Sequence, residues 1–482
     1  MLVTFIVLYL LVSIAIGLLA ARRVKNTADY AVAGRSLPLA VVIATTFATW
    51  FGSESVLGAP GQFVKEGLSG TVEDPFGAGM CLVLVGLFFA RKLYAMNIIT
   101  IGDYYRRRFG RVVEVLCSSI IILSYLGWVG AQITALGLVF NILSDGAIPL
   151  AWGMVIGTAV VLIYTLYGGM WSVAVTDFVQ MIVIVLGLVA IAWYAADMAG
   201  GAERVISHAA TDGKLRFFPT GGAKEWTFFF AAAITMMLGS IPQQDVFQRV
   251  MSSNNASTAR SGPVIGGLLY IAFAFVPMFV VMAALLVLPG TAGLLEDDPQ
   301  KVLPTLVMTH MPVVLQVAFF GALLSAIMST ASATMLAPST TFVENILRNL
   351  KPGMSDEQTL KAMRVSVLVF TICVLVYSIT MEGSSIYELV SGAYQVPLVG
   401  AFVPLLMGVY WKRATTQGAL LAVVLGLVVW LWFVASPVLS EAFPQQLAGL
   451  IASFVGMLSG SLLPQFIADQ KGRTHHYETA AV

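Results

Sequence analysis

The chain has 482 residues, 58% of them hydrophobic and 11% charged, with a mean hydropathy of +0.88. Soluble domains carry about 25% charged residues, so this composition excludes an ordinary cytosolic enzyme. Lys plus Arg number 26 and Asp plus Glu 25, which offers no basic surface for nucleic acid, and three cysteines and four histidines without ligand spacing exclude a disulfide framework, a zinc site or a haem.

A spanning helix needs about 20 mostly apolar residues, because in hydrocarbon only internal hydrogen bonds satisfy the backbone. Thirteen such runs follow one another, with approximate cores 1–21, 37–63, 75–95, 112–143, 148–167, 172–199, 226–241, 263–288, 312–345, 364–381, 386–411, 415–436 and 444–467. The first has no basic segment before it and is followed by Arg22, Arg23 and Lys25, the pattern of an uncleaved anchor with its N-terminus outside. Alternating from there, 20 of the 26 basic residues, Arg107 and Arg249 among them, fall on the cytoplasmic side. Lys65, Arg204, Lys214, Arg216, Lys224 and Lys301 remain outside. The positive-inside rule therefore predicts a thirteen-span, all-α protein of the plasma (inner) membrane, N-terminus outside and C-terminus cytoplasmic. No connection reads as a linker to a soluble domain. The outside stretch 200–225 has room for a short helix, and a polar tail, 469–482, ends the chain.

Two runs are interrupted by Gly, Pro and charge, which lipid tolerates only where backbone is buried in protein or lines a cavity. The second contains Gly52, Ser53, Glu54, Ser55, Gly58, Pro60 and Gly61. The seventh contains Gly239, Ser240 and Pro242 before Gln243, Gln244 and Asp245. Five spans separate their starts, so the two cross in opposite directions and would open two inverted five-helix repeats, the arrangement of transporters with a midplane site at broken helices. The resulting division is an accessory helix 1–21, repeat 1 at 37–199, repeat 2 at 224–411, accessory helices at 415–468 and the tail. The bland alternative is that each break is the end of an ordinary helix already in water.

In the ninth run Ser325, Ser329 and Ser332 recur on one face, with Thr330 and Thr334 beside them. A small hard cation needs several oxygens, and hydroxyls facing a broken helix can complete a shell begun by freed carbonyls. Against this, any single hydroxyl is as readily bonded back to its own helix, or simply small enough for close packing. Ser329 and Thr330 together, opposite the second-span break, favour the ion.

Gly168 to Gln180 (GGMWSVAVTDFVQ) resembles the signature of the sodium:solute symporter family, and Ala326 to Met335 (AIMSTASATM) resembles its sodium helix. Pro242 to Ala259, Ala48 to Gly52 and Gly86 to Arg91 are most similar to the family's choline-transporter branch. The resemblance implies a LeuT-like inverted-repeat core with sodium between the second and ninth spans. Its ligands would be the backbone of Ala48 and Phe51, the Ala326 carbonyl and the Ser329 and Thr330 hydroxyls. Asp177 matches the signature Asp, and its physics suits capping the sixth span or pairing with an Arg as well as touching an ion. Where the choline branch places Trp, this chain has Gln243, which weakens a box for quaternary ammonium. Trp50 and Trp128 remain as candidate walls.

These readings converge on a sodium-coupled symporter that imports a small organic solute by alternating access, not an enzyme, with no cofactor beyond the coupling ion and the lipid bilayer as its setting. The solute would lie between the two breaks, touched by Trp50, Ser55, Gln243 and Trp128, with Glu54 facing the outer vestibule. Gln243 offers both donor and acceptor and so tilts the choice toward a neutral or zwitterionic solute. A passive channel is the alternative from another class and would show one continuous polar path; a choline-type carrier is the alternative within the family. A membrane sensor would need an output domain that a fourteen-residue tail does not supply.

Overall fold

The computed structural model describes residues 2–288, 298–381 and 385–468; the predicted tail at 469–482 lies outside the described residues. Among the described residues the chain is helical throughout, with one isolated β-bridge. Ten helices are long and apolar enough to cross a membrane, and two bent pairs, Leu39–Trp50 with Glu54–Glu66 and Ala223–Gly239 with Gln244–Ser252, raise the count to twelve.

The thirteenth span is hidden inside one of the ten. Leu150–Met198 runs for 49 residues, about 73 Å at 1.5 Å per residue, more than twice the hydrocarbon thickness of roughly 30 Å. Its backbone leaves helical geometry at Gly169 (φ 47, ψ −139). The Tyr164 hydroxyl, before this point, donates to the Met328 carbonyl at 3.1 Å, and Asp177, after it, accepts from the hydroxyl of neighbouring Ser329 at 2.6 Å. Residues five before and eight after Gly169 thus meet the same level of the ninth span, although a straight helix would hold them about 20 Å apart, so the segment is an antiparallel hairpin. Only glycine fits the turn, because a Cβ at Gly169 would stand 2.4 Å from the Tyr30 carbonyl.

The connections separate onto two faces as thirteen alternating spans require. On one, Leu37 N–H donates to the Ser252 carbonyl and Asn254 N–H to the Leu37 carbonyl, both at 2.9 Å. The Tyr94 hydroxyl reaches the Ser253 carbonyl, Arg107 the Met96 carbonyl and Thr27 N–H the Asp356 carboxylate. On the other, Leu68 and Ser69 donate to the carbonyls of Lys214 and Arg216, and Ile386 N–H donates to Gln300. The start of the second span therefore lies beside the end of the seventh, which means they cross in opposite directions. The stretch after the sixth span forms the expected short helix, Ala202–Thr211, followed by an aromatic cluster of Phe76, Phe217, Phe218, Trp226 and Phe229 at the level where such rings anchor a protein to the bilayer surface.

Packing follows the bilayer's logic. Outward-facing residues such as Trp193 and Leu186 are apolar and exposed, while polar side chains gather inside. One basic residue departs from the sequence reading: Arg249, counted among the loops, is buried at 1% exposure, because the half-helix Gln244–Ser252 carries it back into the core. Of the other 19, Lys471 and Arg473 lie outside the described residues, and the remaining 17 still outnumber the 6 assigned to the opposite side, so the bias keeps its sign. We expect a membrane-impermeant thiol reagent applied to intact cells to label a cysteine placed at Lys214 and to spare one at Arg107; the reverse labelling would invert the orientation.

Candidate functional site

The second span stops being helical at Trp50. Phe51 has ψ near 70°, Gly52 and Ser53 bridge the break, and a wide i→i+5 turn, Glu54–Gly58, restarts the helix at an angle of 58°. The carbonyls of the last helical turn, Ala48 among them, thereby lose their regular partners, and so do the N–H groups of the new first turn. Ser53 N–H is taken by the Gln132 side-chain oxygen at 3.0 Å. The seventh span breaks likewise between Gly239 and Gln244, at 47°, where the Tyr125 hydroxyl accepts from Asp245 N–H at 2.9 Å. Gln132 and Tyr125 both come from the fourth span, so one helix completes the two breaks. The sequence reading named neither; each looked like a polar residue in an otherwise apolar run.

Five positions were expected to hold sodium, and all five are buried. Ala48 and Phe51 lie at the end of the first half-helix, with Ala326, Ser329 and Thr330 on the ninth span. The hydroxyls of that span divide into two groups. Ser325 donates to the Gly321 carbonyl, Ser332 to that of Ser329 and Thr334 to that of Thr330, so these three are bonded back to their own helix. Ser329 instead donates to Asp177, and Thr330 Oγ1 has no hydrogen-bond partner. That orphaned oxygen points at the second-span break: a Cβ on Gly52 would lie 2.5 Å from Thr330 Oγ1, 2.7 Å from Glu54 Oε2 and 2.9 Å from Gln132 Oε1. Three oxygens converge where any residue but glycine would put carbon.

Asp177 is not a helix cap. It lies two turns beyond Gly169 with no exposed surface, accepting hydrogen bonds from Thr45 (2.5 Å), Thr49 (3.3 Å) and Ser329 (2.6 Å). Arg249 approaches to 4.0 Å, donates to Thr49 Oγ1 at 2.6 Å and reaches back to the Asp245 carbonyl at 3.0 Å. This network ties the second, sixth, seventh and ninth spans together. Hydropathy obscures it, because Asp245 and Arg249 read as the polar end of a helix rather than as its core.

Of the four expected solute contacts, the structure brings three together. The rings of Trp50 and Trp128 meet edge to face at 5.5 Å, Tyr394 lies 6.1 Å and 5.4 Å from them, and Tyr125 stacks on Trp128 at 6.1 Å. Each indole N–H donates to a buried carboxylate, Trp50 to Asp245 and Trp128 to Glu54, both at 3.0 Å. Gln243 stands beside them with its amide nitrogen on Ser124 Oγ at 2.8 Å, while its Oε1 and the Tyr394 hydroxyl lack partners. Ser55 Oγ lies between the Trp50 carbonyl at 3.3 Å and the Tyr270 hydroxyl at 2.8 Å. Glu54 does not face an outer vestibule; it is 2% exposed, held by Trp128 and by Gln132 at 2.7 Å, because the wide turn swings it under the break. Among the described residues no group of His, Cys, Asp and Glu has metal-centre geometry.

The family model described as the Sodium:solute symporter family matches residues 30–426. The human high affinity choline transporter 1 is 28% identical over 456 residues, covering 88% of this chain and 75% of that protein. The high-affinity proline transporter PutP of Bacillus subtilis (strain 168) is 27% identical over 470 residues, covering 93% and 95%. Among solved structures, a Na+-coupled sialic acid symporter in a substrate-bound outward-open state superposes with a TM-score of 0.81 at 19% identity, over 96% of this chain and 98% of that one. Mhp1, a nucleobase-cation-symport-1 family transporter, superposes at 0.63 and 16% identity, over 94% and 99%.

Removing one partner from a buried charge network strands the rest, at about 3–5 kcal/mol. Arg249→Met keeps the volume and leaves Asp177 and Asp245 uncompensated, so the purified variant should melt well below wild type and Arg249→Lys should recover part of the loss. An unchanged melting temperature for Arg249→Met would mean the guanidinium does not balance those acids.

Proposed function

The chain belongs to the sodium:solute symporter family, and from that premise we propose that it carries a small organic solute with a positively charged nitrogen, seated between the two helix breaks. The protein is a sodium-coupled symporter of the LeuT-like inverted-repeat fold. Its repeats are taken as 37–199 and 224–411, flanked by accessory helices at 1–21 and 415–468, with the N-terminus outside. Sodium is assigned to the Ala48 and Phe51 carbonyls, the Ala326 carbonyl and the Ser329 and Thr330 hydroxyls; the orphaned Thr330 oxygen beside Gly52 supports this choice.

One observation carries the solute reading: two buried carboxylates, Glu54 and Asp245, flank an aromatic group of Trp50, Trp128, Tyr394 and Tyr125. An aromatic face attracts a cation by about 0.5–2 kcal/mol, and a buried carboxylate calls for a positive partner. Choline and proline, the solutes in the relatives' names, both contain a positively charged nitrogen. In the sequence Gln243 pointed toward a neutral or zwitterionic solute. Its donor is already used on Ser124 and its free acceptor suits an N–H of a protonated amine, which a quaternary ammonium lacks.

Ser329→Ala and Thr330→Ala each remove one charge-assisted contact of about 1.5–3 kcal/mol, so half-activation by sodium should move up roughly ten- to hundredfold in proteoliposomes. Unchanged sodium dependence in both would return these residues to helix packing. Glu54→Gln should reduce sodium-driven uptake of a protonated amine at least tenfold while sodium still raises the melting temperature of the purified protein. Vigorous sodium-driven uptake of an uncharged polyol, insensitive to Glu54→Gln, would overturn the cationic solute.

A further inference from the structure

Glu54 and Asp245 do not exhaust the buried acids. Glu73 and Asp74 open the third span in the turn Val72–Gly77, which packs on Glu54–Gly58, and Asp74 breaks the helix there with φ −135 and ψ 121. Asp74 is 1% exposed. Its Oδ1 accepts the Tyr270 hydroxyl, the group that also meets Ser55, and its Oδ2 has no partner. Glu73, 9% exposed, accepts the Ser391 hydroxyl from the eleventh span. Among the described residues neither acid forms an ion pair, and the buried guanidinium, Arg249, is committed to Asp177 and the Asp245 carbonyl.

A buried carboxyl with an empty oxygen inside a membrane protein stays ionised only where something positive arrives, and otherwise takes up a proton. The orphaned Oδ2 marks where a cation would bind, with the Glu73 carboxylate next in sequence. Phe51, adjoining Trp50, packs edge to face at 6.0 Å on Tyr270, the residue that holds Asp74, so ring surface links the two positions. Ring surface suits methylene groups and gives a hydrated ion nothing to hold.

We propose that Asp74 and Glu73 form a second cationic position, so that the solute is a linear diamine with one ammonium in the aromatic group beside Glu54 and Asp245 and the other against Asp74 and Glu73. This rests on the solute reading given above for the first position. Ser55, expected to touch solute, bonds both the Trp50 carbonyl and the Tyr270 hydroxyl and then stands between the two positions.

The full-length purified protein is titrated in saturating sodium with α,ω-diamines of three to six carbons and with the straight-chain monoamine of each length, and thermal shift or calorimetry gives the affinity ratio. In wild type the best diamine should bind roughly ten- to hundredfold more tightly than its monoamine, the worth of one added charge-assisted contact. Asp74→Asn and Glu73→Gln should each bring the ratio close to one. Equal affinities across every pair in wild type would overturn the second position while leaving the first intact, and so would a ratio that survives in both variants. Should Asp74→Asn fail to fold, Glu73→Gln alone decides. If Asp74→Asn shifts sodium activation and leaves the ratio alone, the position belongs to an inorganic cation and the proposal falls. Binding of no amine at all, with sodium stabilisation preserved, would instead remove the reading of the first position.

Discussion

A crowd of buried carboxyl groups constrains everything else in this core. Glu54, Glu73, Asp74, Asp177 and Asp245 are all less than a tenth exposed, and the buried Arg249 faces only two of them. In hydrocarbon surroundings an unpaired carboxylate costs several kcal/mol, and hydroxyl or indole donors return only part of that. The fold spends its polar side chains accordingly. Thr45, Thr49 and Ser329 serve Asp177, Tyr125 and Trp50 serve Asp245, Trp128 and Gln132 serve Glu54, and Tyr270 serves Asp74. What those donors leave unsatisfied is what a cation is needed for.

Gly52 is where the proposed ion and solute positions meet. Thr330 Oγ1, on the proposed sodium helix, and Glu54 Oε2, on the proposed solute side, are both packed against this residue, with Gln132 Oε1 between them. No rigid wall of protein separates them, so a cation drawing on Thr330 alters the field at Glu54 and the hydrogen bonds of Gln132. Coupling of two binding equilibria needs no more than such a shared neighbour whose arrangement each ligand biases.

The apolar spans and the two breaks were legible in the sequence, because each rests on local chemistry: twenty apolar residues, with glycine and proline within them. Trp50, Trp128 and Gln243 were read there as solute contacts, and the structure sets the first two edge to face. The sequence did not reveal what depends on distant contacts. Whether Ser329 turns to Asp177 or back to its own helix is decided by a side chain 152 positions away. Glu54 looked like a vestibule residue because a charge near the end of a run ordinarily faces water; the wide turn that buries it has no signature in composition. Arg249 was placed in a loop for the same reason, and the 49-residue hairpin is legible only because Gly168 and Gly169 interrupt its apolar pattern.

These buried carboxyl groups also bear on how such a carrier couples its ligands. Alternating access moves a site from one side of the bilayer to the other by rocking one bundle against its partner, and every net charge in the moving region raises the cost of the occluded intermediate, in which water is excluded. Ionised acids would hold back an empty site or one carrying sodium alone, whereas sodium together with the proposed cationic solute would bring the region closest to neutrality. The fully loaded form crosses most readily because each ligand removes part of one electrostatic penalty. A ligand can shift a conformational equilibrium only by its differential affinity for the two states, and here that difference is the desolvation of the same few carboxylates. On the proposed reading, the acids of the second, third and seventh spans would both recognise the solute and oppose its passage without sodium.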